Sequence, residues 1–309
     1  MTKKEFFLSC KGEKLHCIEW RPEGDIVAAL QIVHGMVEHV ERYNDFAVYL
    51  ASRGILVVGH DHPGHGKTAP SENDLGYIDM KNGGELLIEC TERVGEYIRE
   101  SYPEVGRFIL GHSMGSFVVR RYITRYSDYL CGAIIMGTGT PPTPVLFAGR
   151  IIASLVALFK GERHPSELLK KLSFSGYNRL FSKDEGDNAW LSSDRDAVKK
   201  YDDDPLCGYT FTAGGFRVLY DTLYSLARKK DHENIKRTLP VLITSGEVDP
   251  VGEYAKGPEA LFKVYKKLGM EDVTLTFYPR GRHEILNETF KGRVYEDIYS
   301  WITGEQNGD

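Results

Sequence analysis

The sequence predicts an α/β fold built on a mostly parallel, eight-stranded sheet flanked by helices. Strand-like and helix-like segments alternate over most of the chain, the arrangement that buries a parallel sheet between two helical layers. The interior strand segments are short, continuous apolar runs, as strands covered on both faces require. One such run breaks at its end into Gly111-His112-Ser113-Met114-Gly115, a Gly-x-Ser-x-Gly turn that sets a serine between a strand and a helix.

The elements follow in order. Residues 4–10 and 14–20 alternate in polarity and are joined by Lys11-Gly12-Glu13, which predicts an antiparallel hairpin at the sheet edge. Strands over 26–34 and 55–61 enclose a helix over 41–53, and a helix over 84–101 leads to the strand 107–111. Beyond Ser113 a helix is expected over 114–126, then a sixth strand over 131–137. Pro141, Pro142 and Pro144 stop the alternation, and no convincing strand follows until residue 241. Residues 141–230 therefore read as an inserted, mainly helical cap between core segments 1–140 and 231–309. The last four elements are strand 241–246, helix 253–268, strand 273–278 and helix 288–303. The final helix places Phe290, Val294, Ile298 and Ile302 four residues apart, one apolar stripe.

Composition narrows the function. The 309 residues are 41% hydrophobic and 27% charged, ordinary for a globular protein with a sizeable core. A net charge of −5 disfavours nucleic acid as a partner, and the basic clusters Lys170-Lys171, Lys199-Lys200 and Arg228-Lys229-Lys230 are separated and read as solvated helix faces. Five cysteines form no Cys-x-x-Cys pair, and no apolar leader follows Met1-Thr2-Lys3-Lys4-Glu5, so reduced thiols and a cytoplasmic location are the default expectation. The longest apolar stretch, 145–159, is interrupted by Arg150 and falls short of the ~20 residues that span a bilayer. It reads either as a buried helix or as a lid helix whose exposed apolar side meets an acyl chain or a membrane surface.

Ser113 is the candidate nucleophile. Glycines at minus two and plus two leave room for a sharp strand-to-helix turn, and the helix N-terminus with the Met114 amide favours negative charge beside the hydroxyl. A nucleophilic serine needs a base and an acid, each placed just after a strand. Asp249 follows strand 241–246, and His283 follows strand 273–278 as the one histidine downstream of Asp249. The order Ser, Asp, His thus selects Ser113, Asp249 and His283, with Glu247 as a weaker alternative acid. The loop His34-Gly35-Met36-Val37-Glu38-His39 offers the Met36 amide as the second oxyanion donor beside that of Met114, with Glu38 and His39 fixing the loop. Two imitations are set aside. His60-x-His62-x-x-His65 has metal-ligand spacing, but Gly64 stands where a binuclear site carries aspartate. Gly66-Lys67-Thr68 resembles the end of a phosphate loop, but Asp61 occupies its first glycine and no helix follows.

Together His34-Gly35-x-x-Glu38-His39-x-x-Arg42-Tyr43, Asp61-x-x-Gly64-His65-Gly66, Gly111-His112-Ser113-Met114-Gly115, Asp204-Pro205-Leu206, Gly246-x-x-Asp249 and His283-Glu284-x-x-Asn287-Glu288 resemble the monoacylglycerol lipase and lysophospholipase branch of the α/β-hydrolases. The resemblance runs from about Cys17 to Thr303. It implies a cap after the sixth strand, no cofactor and no metal, and hydrolysis of carboxylic esters bearing one acyl chain. It also supports the triad on Ser113, Asp249 and His283 and the oxyanion amides on Met36 and Met114. Ser116 departs from the pattern, since close relatives usually carry a third glycine there. A short-chain esterase or acyltransferase using the same triad, or a binding protein that has lost the chemistry, are the competing expectations.

Overall fold

The computed structural model describes residues 1–227 and 232–305. The basic cluster Arg228-Lys229-Lys230 and the boundary expected at 230/231 lie outside the described residues. Eight strands form one sheet: β1 (Thr2–Cys10), β2 (Glu13–Arg21), β3 (Ala28–Val33), β4 (Ile55–His60), β5 (Arg107–His112), β6 (Gly132–Met136), β7 (Val241–Gly246) and β8 (Val273–Tyr278). Their spatial order is β1-β2-β4-β3-β5-β6-β7-β8. The β1/β2 and β2/β4 pairs are antiparallel and all the others are parallel. The hairpin at the edge and the mostly parallel interior are both as the sequence predicts.

Helices cover both faces: α1 (Asn44–Ala51), α2 (Gly83–Ser101), α3 (Met114–Tyr126), α8 (Lys256–Lys267) and α9 (Lys291–Thr303). Ile18, Leu30, Ile32 and Ile134 on one sheet face pack with Phe46 and Leu50 of α1 and with Val294, Ile298 and Ile302 of α9. The stripe read from the last helix is therefore its core face. On the other sheet face Ile109, Ala133 and Ile135 meet α2, α3 and α8 through Leu87, Val118, Val119, Leu261 and Tyr265. Between β6 and β7 the chain forms α4 (Thr143–Lys160), α5 (Glu167–Phe174), α6 (Arg195–Asp203) and α7 (Ala213–Leu226), with no named strand among these described residues.

Three helix boundaries differ from expectation. The helix expected over 41–53 divides into a 3-10 turn, Val40–Tyr43, and α1. An Asp61 carboxylate oxygen accepts the Val40 amide at 2.8 Å, tying the start of that turn to the end of β4. The helix expected from residue 253 starts at Lys256, because Glu253, Tyr254 and Ala255 all have left-handed backbones with φ of 51°, 56° and 76°. The helix expected from residue 288 starts at Lys291, because the Glu288 carboxylate accepts bonds from Arg282 and Ser193 amides at 3.0 and 3.1 Å and holds its residue in the preceding loop.

Helix α9 gives two opposed expectations. Ile298→Ala should lower the free energy of unfolding by about 2–4 kcal/mol, as deletion of a fully buried side chain does. Gly292→Ala, where a β-carbon would meet nothing within 4 Å, should raise it by up to about 1 kcal/mol. Urea unfolding of the two variants measures both, and the same sign for both would contradict this packing of α9.

Candidate active site

The end of β5 turns into α3 at Ser113, whose φ of 53° and ψ of −119° are sparsely populated for a residue with a side chain. The surroundings hold it there. The Ser113 amide donates to Met136 O at 3.0 Å, and the Ser113 carbonyl accepts both the Ser116 amide at 2.9 Å and the Ser116 hydroxyl at 2.5 Å. Ser116, fully buried, thus replaces the glycine of the resembled pattern with a hydroxyl that ties down the turn. Gly115 is indispensable, since a β-carbon there would lie 2.0 Å from Val33 O. Met114 opens α3, so its N–H has no acceptor within the helix.

The loops after β7 and β8 bring the other two candidates together. His283 Nδ1 lies 3.0 Å from each carboxylate oxygen of Asp249, and both residues are buried. Asp249 also accepts the Ser245 hydroxyl at 3.2 Å and the Val251 amide at 2.8 Å. Burial pushes its carboxyl up, but the His283 imidazole outweighs this and keeps it below the usual carboxylate range. Glu247, the alternative acid, is exposed, and among the described residues its carboxylate accepts the Arg280 amide at 3.3 Å and does not reach His283. The end of β6 touches both arms of the site: Met136 O holds the Ser113 amide, and a β-carbon on Gly137 would lie 3.1 Å from His283 Cε1.

The loop after β3 lies against the serine. A β-carbon on Gly35 would come within 3.1 Å of Ser113 Cβ. Glu38 organises this loop by accepting the Gly35 amide at 2.6 Å, the Tyr43 hydroxyl at 2.9 Å and Arg42 Nη1 at 2.7 Å, with His112 Nδ1 at 3.2 Å. Arg42 continues to Glu284 through two bonds of 2.7 Å each. Burial alone would raise the Glu38 carboxyl, yet His112 and Arg42 drive it well below the usual range, and Glu38 in turn raises His112 against its own burial. Arg42 and Glu284 were legible as motif residues, but nothing in the sequence announced a pair 242 positions apart. Trp190, whose ring centroid lies 5.1 Å from that of His283, carries no sequence signal at all.

Ser113, His283, Met36 and Met114 line one cavity of about 1080 Å³. Its apolar wall comes largely from the segment between β6 and β7, with Leu146, Phe174, Phe211, Phe216, Leu219 and Leu223. That volume is at the upper end of ligand pockets, which run ~300–1,000 Å³. His39, Asp204 and Cys207 place one ligand atom each within 4.8 Å of one another, as a metal ion would need. However, His39 and Asp204 already satisfy each other at 2.8 Å, and the nearby Arg42 cation acts on both Asp204 and Cys207. That charge opposes a second cation, and no step of the chemistry is drawn through the trio.

The chain matches the serine aminopeptidase S33 family over residues 24–290. It is a member of that family. Within it, the chain is 26% identical over 300 residues to a monoacylglycerol lipase of Mycolicibacterium smegmatis, covering 96% of this chain and 95% of that enzyme. A thermostable carboxyl esterase from Bacillus coagulans, solved with glycerol, superposes with a TM-score of 0.88 at 26% identity and covers 98% of this chain and 99% of its own. A soluble variant of monoglyceride lipase from Saccharomyces cerevisiae shares the fold, with a TM-score of 0.77 at 20% identity over 100% of this chain and 97% of its own. The chain is thus an α/β-hydrolase of the monoacylglycerol-lipase-like branch.

The histidines that imitate a metal site have a different consequence. His34, His60, His62 and His65 are buried as a cluster at the ends of β3 and β4, with ring centroids 4.3 Å apart for His34 and His62 and 5.0 Å apart for His60 and His62. Burial pushes His34 down to about 3, His60 and His65 to about 4, and His62 well below its usual value. In the unfolded chain all four titrate near 6.5, so below about pH 6.5 the unfolded state binds more protons and stability falls with pH. His16 and His112 are raised by Asp61 and Glu38, so their contribution is already complete below about 6.5 and does not oppose this fall. Urea unfolding should show a loss of stability from pH 7 to pH 5. Neither ring nitrogen of His60 has a partner among the described residues, so His60→Leu should fold at pH 7 and shallow the fall by roughly 1 kcal/mol per pH unit. An unchanged pH slope in that variant would contradict a neutral, buried His60.

Proposed function

We propose that the protein hydrolyses carboxylic esters of lipids with a single acyl chain, of monoacylglycerol or lysophospholipid type, through an acyl-enzyme on Ser113. One observation carries this reading: the buried His283–Asp249 pair opens on the same cavity as the strained Ser113 turn. Asp249 accepts the Nδ1 proton, which leaves Nε2 of His283 as the acceptor. Ser113 Oγ attacks the ester carbonyl as its proton passes to Nε2. Asp249 stabilises the resulting imidazolium. The amides of Met36 and Met114 take the tetrahedral oxyanion, and His283 returns the proton to the departing alcohol. Water, deprotonated by the same imidazole, then releases the fatty acid and regenerates the serine. The residues involved need no metal or cofactor for these steps.

Residues 141–230 act on this reading as the cap that shapes the acyl site, and α4 acts as its outer face. Leu146, Ala153 and Ala157 of α4 are buried, whereas Val145, Phe147, Ile151, Leu155, Leu158 and Phe159 are exposed, the last two to 74% and 80%. The helix is 18 residues long and apolar enough to cross a membrane. Its seating on α7, through Arg150 and Asp221, favours a helix lying along a lipid surface over one that spans it. All five cysteines are free, as expected of a reducing compartment, and we place the protein in the cytoplasm, peripheral to membrane.

Ser113→Ala should lower hydrolysis of a medium-chain monoacylglycerol by about 10⁴-fold or more and leave the unfolding curve in place. Asp249→Asn should cost about 10³-fold or more in kcat, because it reverses the preferred imidazole tautomer. Comparable turnover of either variant and the parent would remove the triad. Leu158→Ser combined with Phe159→Ser should weaken sedimentation with phosphatidylcholine vesicles while p-nitrophenyl butyrate hydrolysis in solution stays within about twofold. Undiminished sedimentation would remove the membrane face.

A further inference from the structure

The imidazole of His283 meets two rings besides its partner Asp249. From the core side comes His112, with ring centroids 4.7 Å apart, and from the segment between β6 and β7 comes Trp190, at 5.1 Å and 37° to the imidazole plane. Trp190 is itself fixed. Its amide donates to Asn178 Oδ1 at 2.9 Å, and its ring packs on Tyr177 at 5.1 Å and stacks on Phe174 at 6.2 Å. Its carbonyl accepts the His283 amide at 3.2 Å, and the adjacent Leu191 carbonyl accepts the Glu284 amide at 2.7 Å. Arg282, one residue before the imidazole, donates to Ala189 O at 2.6 Å. The loop that carries the base is therefore bonded residue by residue to the chain on either side of Trp190.

We propose that Trp190 is a positioning residue for His283, the group through which the cap fixes the orientation of the imidazole. The inference rests on the reading of His283 as the general base. Asp249 fixes one edge of the ring, but an imidazole held at one nitrogen can still rock about that bond. An indole laid against it removes that freedom, and a misplacement near 1 Å is enough to cost ~100-fold in rate. In the free enzyme the ring geometry therefore depends on the cap as well as on the core, so the base is assembled only when the segment around Trp190 is docked.

The test uses p-nitrophenyl acetate, whose two-carbon acyl group does not extend along the cavity, so a residue that merely lines the acyl path leaves its turnover unchanged. Trp190→Leu and Trp190→Met should each lower kcat by about 10-fold or more with KM within about threefold, and Trp190→Phe should recover most of the loss. In the proton spectrum the downfield imidazole N–H bonded to Asp249, assigned by its disappearance in His283→Ala, should shift or broaden in the leucine and methionine variants and stay in place in Trp190→Phe. Both readouts must move together; either one alone overturns the proposal. Should the leucine variant not fold, the methionine variant, closer to the original volume, decides on the same readouts. Activity that survives Ser113→Ala and His283→Ala removes the triad itself. Activity that is lost in those two and untouched in the leucine and methionine variants removes only the role of Trp190.

Discussion

The carboxylate of Glu38 is the constraint on which the rest of the site depends. It lies within hydrogen-bond reach of the Gly35 amide, Arg42, the Tyr43 hydroxyl and His112, and so joins the loop after β3 to the turn that presents Ser113. Arg42 then carries the connection to Glu284, the neighbour of His283. The Arg42 guanidinium lies between the two carboxylates, and His112, raised toward its charged form by Glu38, offsets part of the remaining cost of burying them. Such a network contributes little net stability against an apolar replacement, but removing one member leaves an unpaired buried charge. Its value lies in geometry, because three loops from three different strands are referred to one point.

Sequence reasoning reached much of this because the information was local or ordered. The hairpin of β1 and β2, the apolar interior strands and the stripe of α9 follow from periodicity within ten or fifteen residues. The Ser, Asp, His order could be read because each residue is anchored to the end of its own strand. Long-range pairs were another matter. Arg42 with Glu284, or Trp190 with His283, are separated by most of the fold, and nothing in either member's neighbourhood marks the other. Boundaries failed where tertiary bonds overrode propensity, as at Glu288, which ends in the loop because its carboxylate bonds the amides of Arg282 and Ser193. The histidine cluster was visible as a spacing and misleading as one, since the rings pack on each other instead of converging their nitrogens on a shared point.

The apolar 145–159 stretch shows why two readings of one segment need not exclude each other. A helix that is apolar nearly all round has no face that water prefers, so burial was one expectation. In the fold it is covered chiefly by α7, with α5 also in contact, and six of its large apolar side chains stay exposed. The covered side supplies Leu146 to the cavity. One helix therefore contributes both a wall of the acyl-sized cavity and six of the fourteen exposed large apolar side chains among the described residues, and uncovered apolar area on this scale points to a surface that meets something else.

Two strained residues bracket the place assigned to the oxyanion, and what holds each of them differs. Ser113, at φ 53°, is held from within the core, by Met136 and by the first turn of its own helix. Val37, at φ 51° beside Met36, is held from outside it: its carbonyl accepts the Gly208 amide at 3.0 Å and the Tyr201 hydroxyl at 3.4 Å, both from the segment between β6 and β7. A β-branched residue in a left-handed conformation costs on the order of 1–3 kcal/mol and persists only where its surroundings over-determine it. The Asp204–His39 bond, one turn of chain away, reinforces the same docking. The core thus fixes the Ser113 turn by itself, whereas the loop after β3, like the His283 loop next to Trp190, leans on the inserted segment. The cavity wall, the loop after β3 and the loop that carries His283 are consequently held by the same inserted segment, so on the proposed mechanism a change there alters rate as well as selectivity.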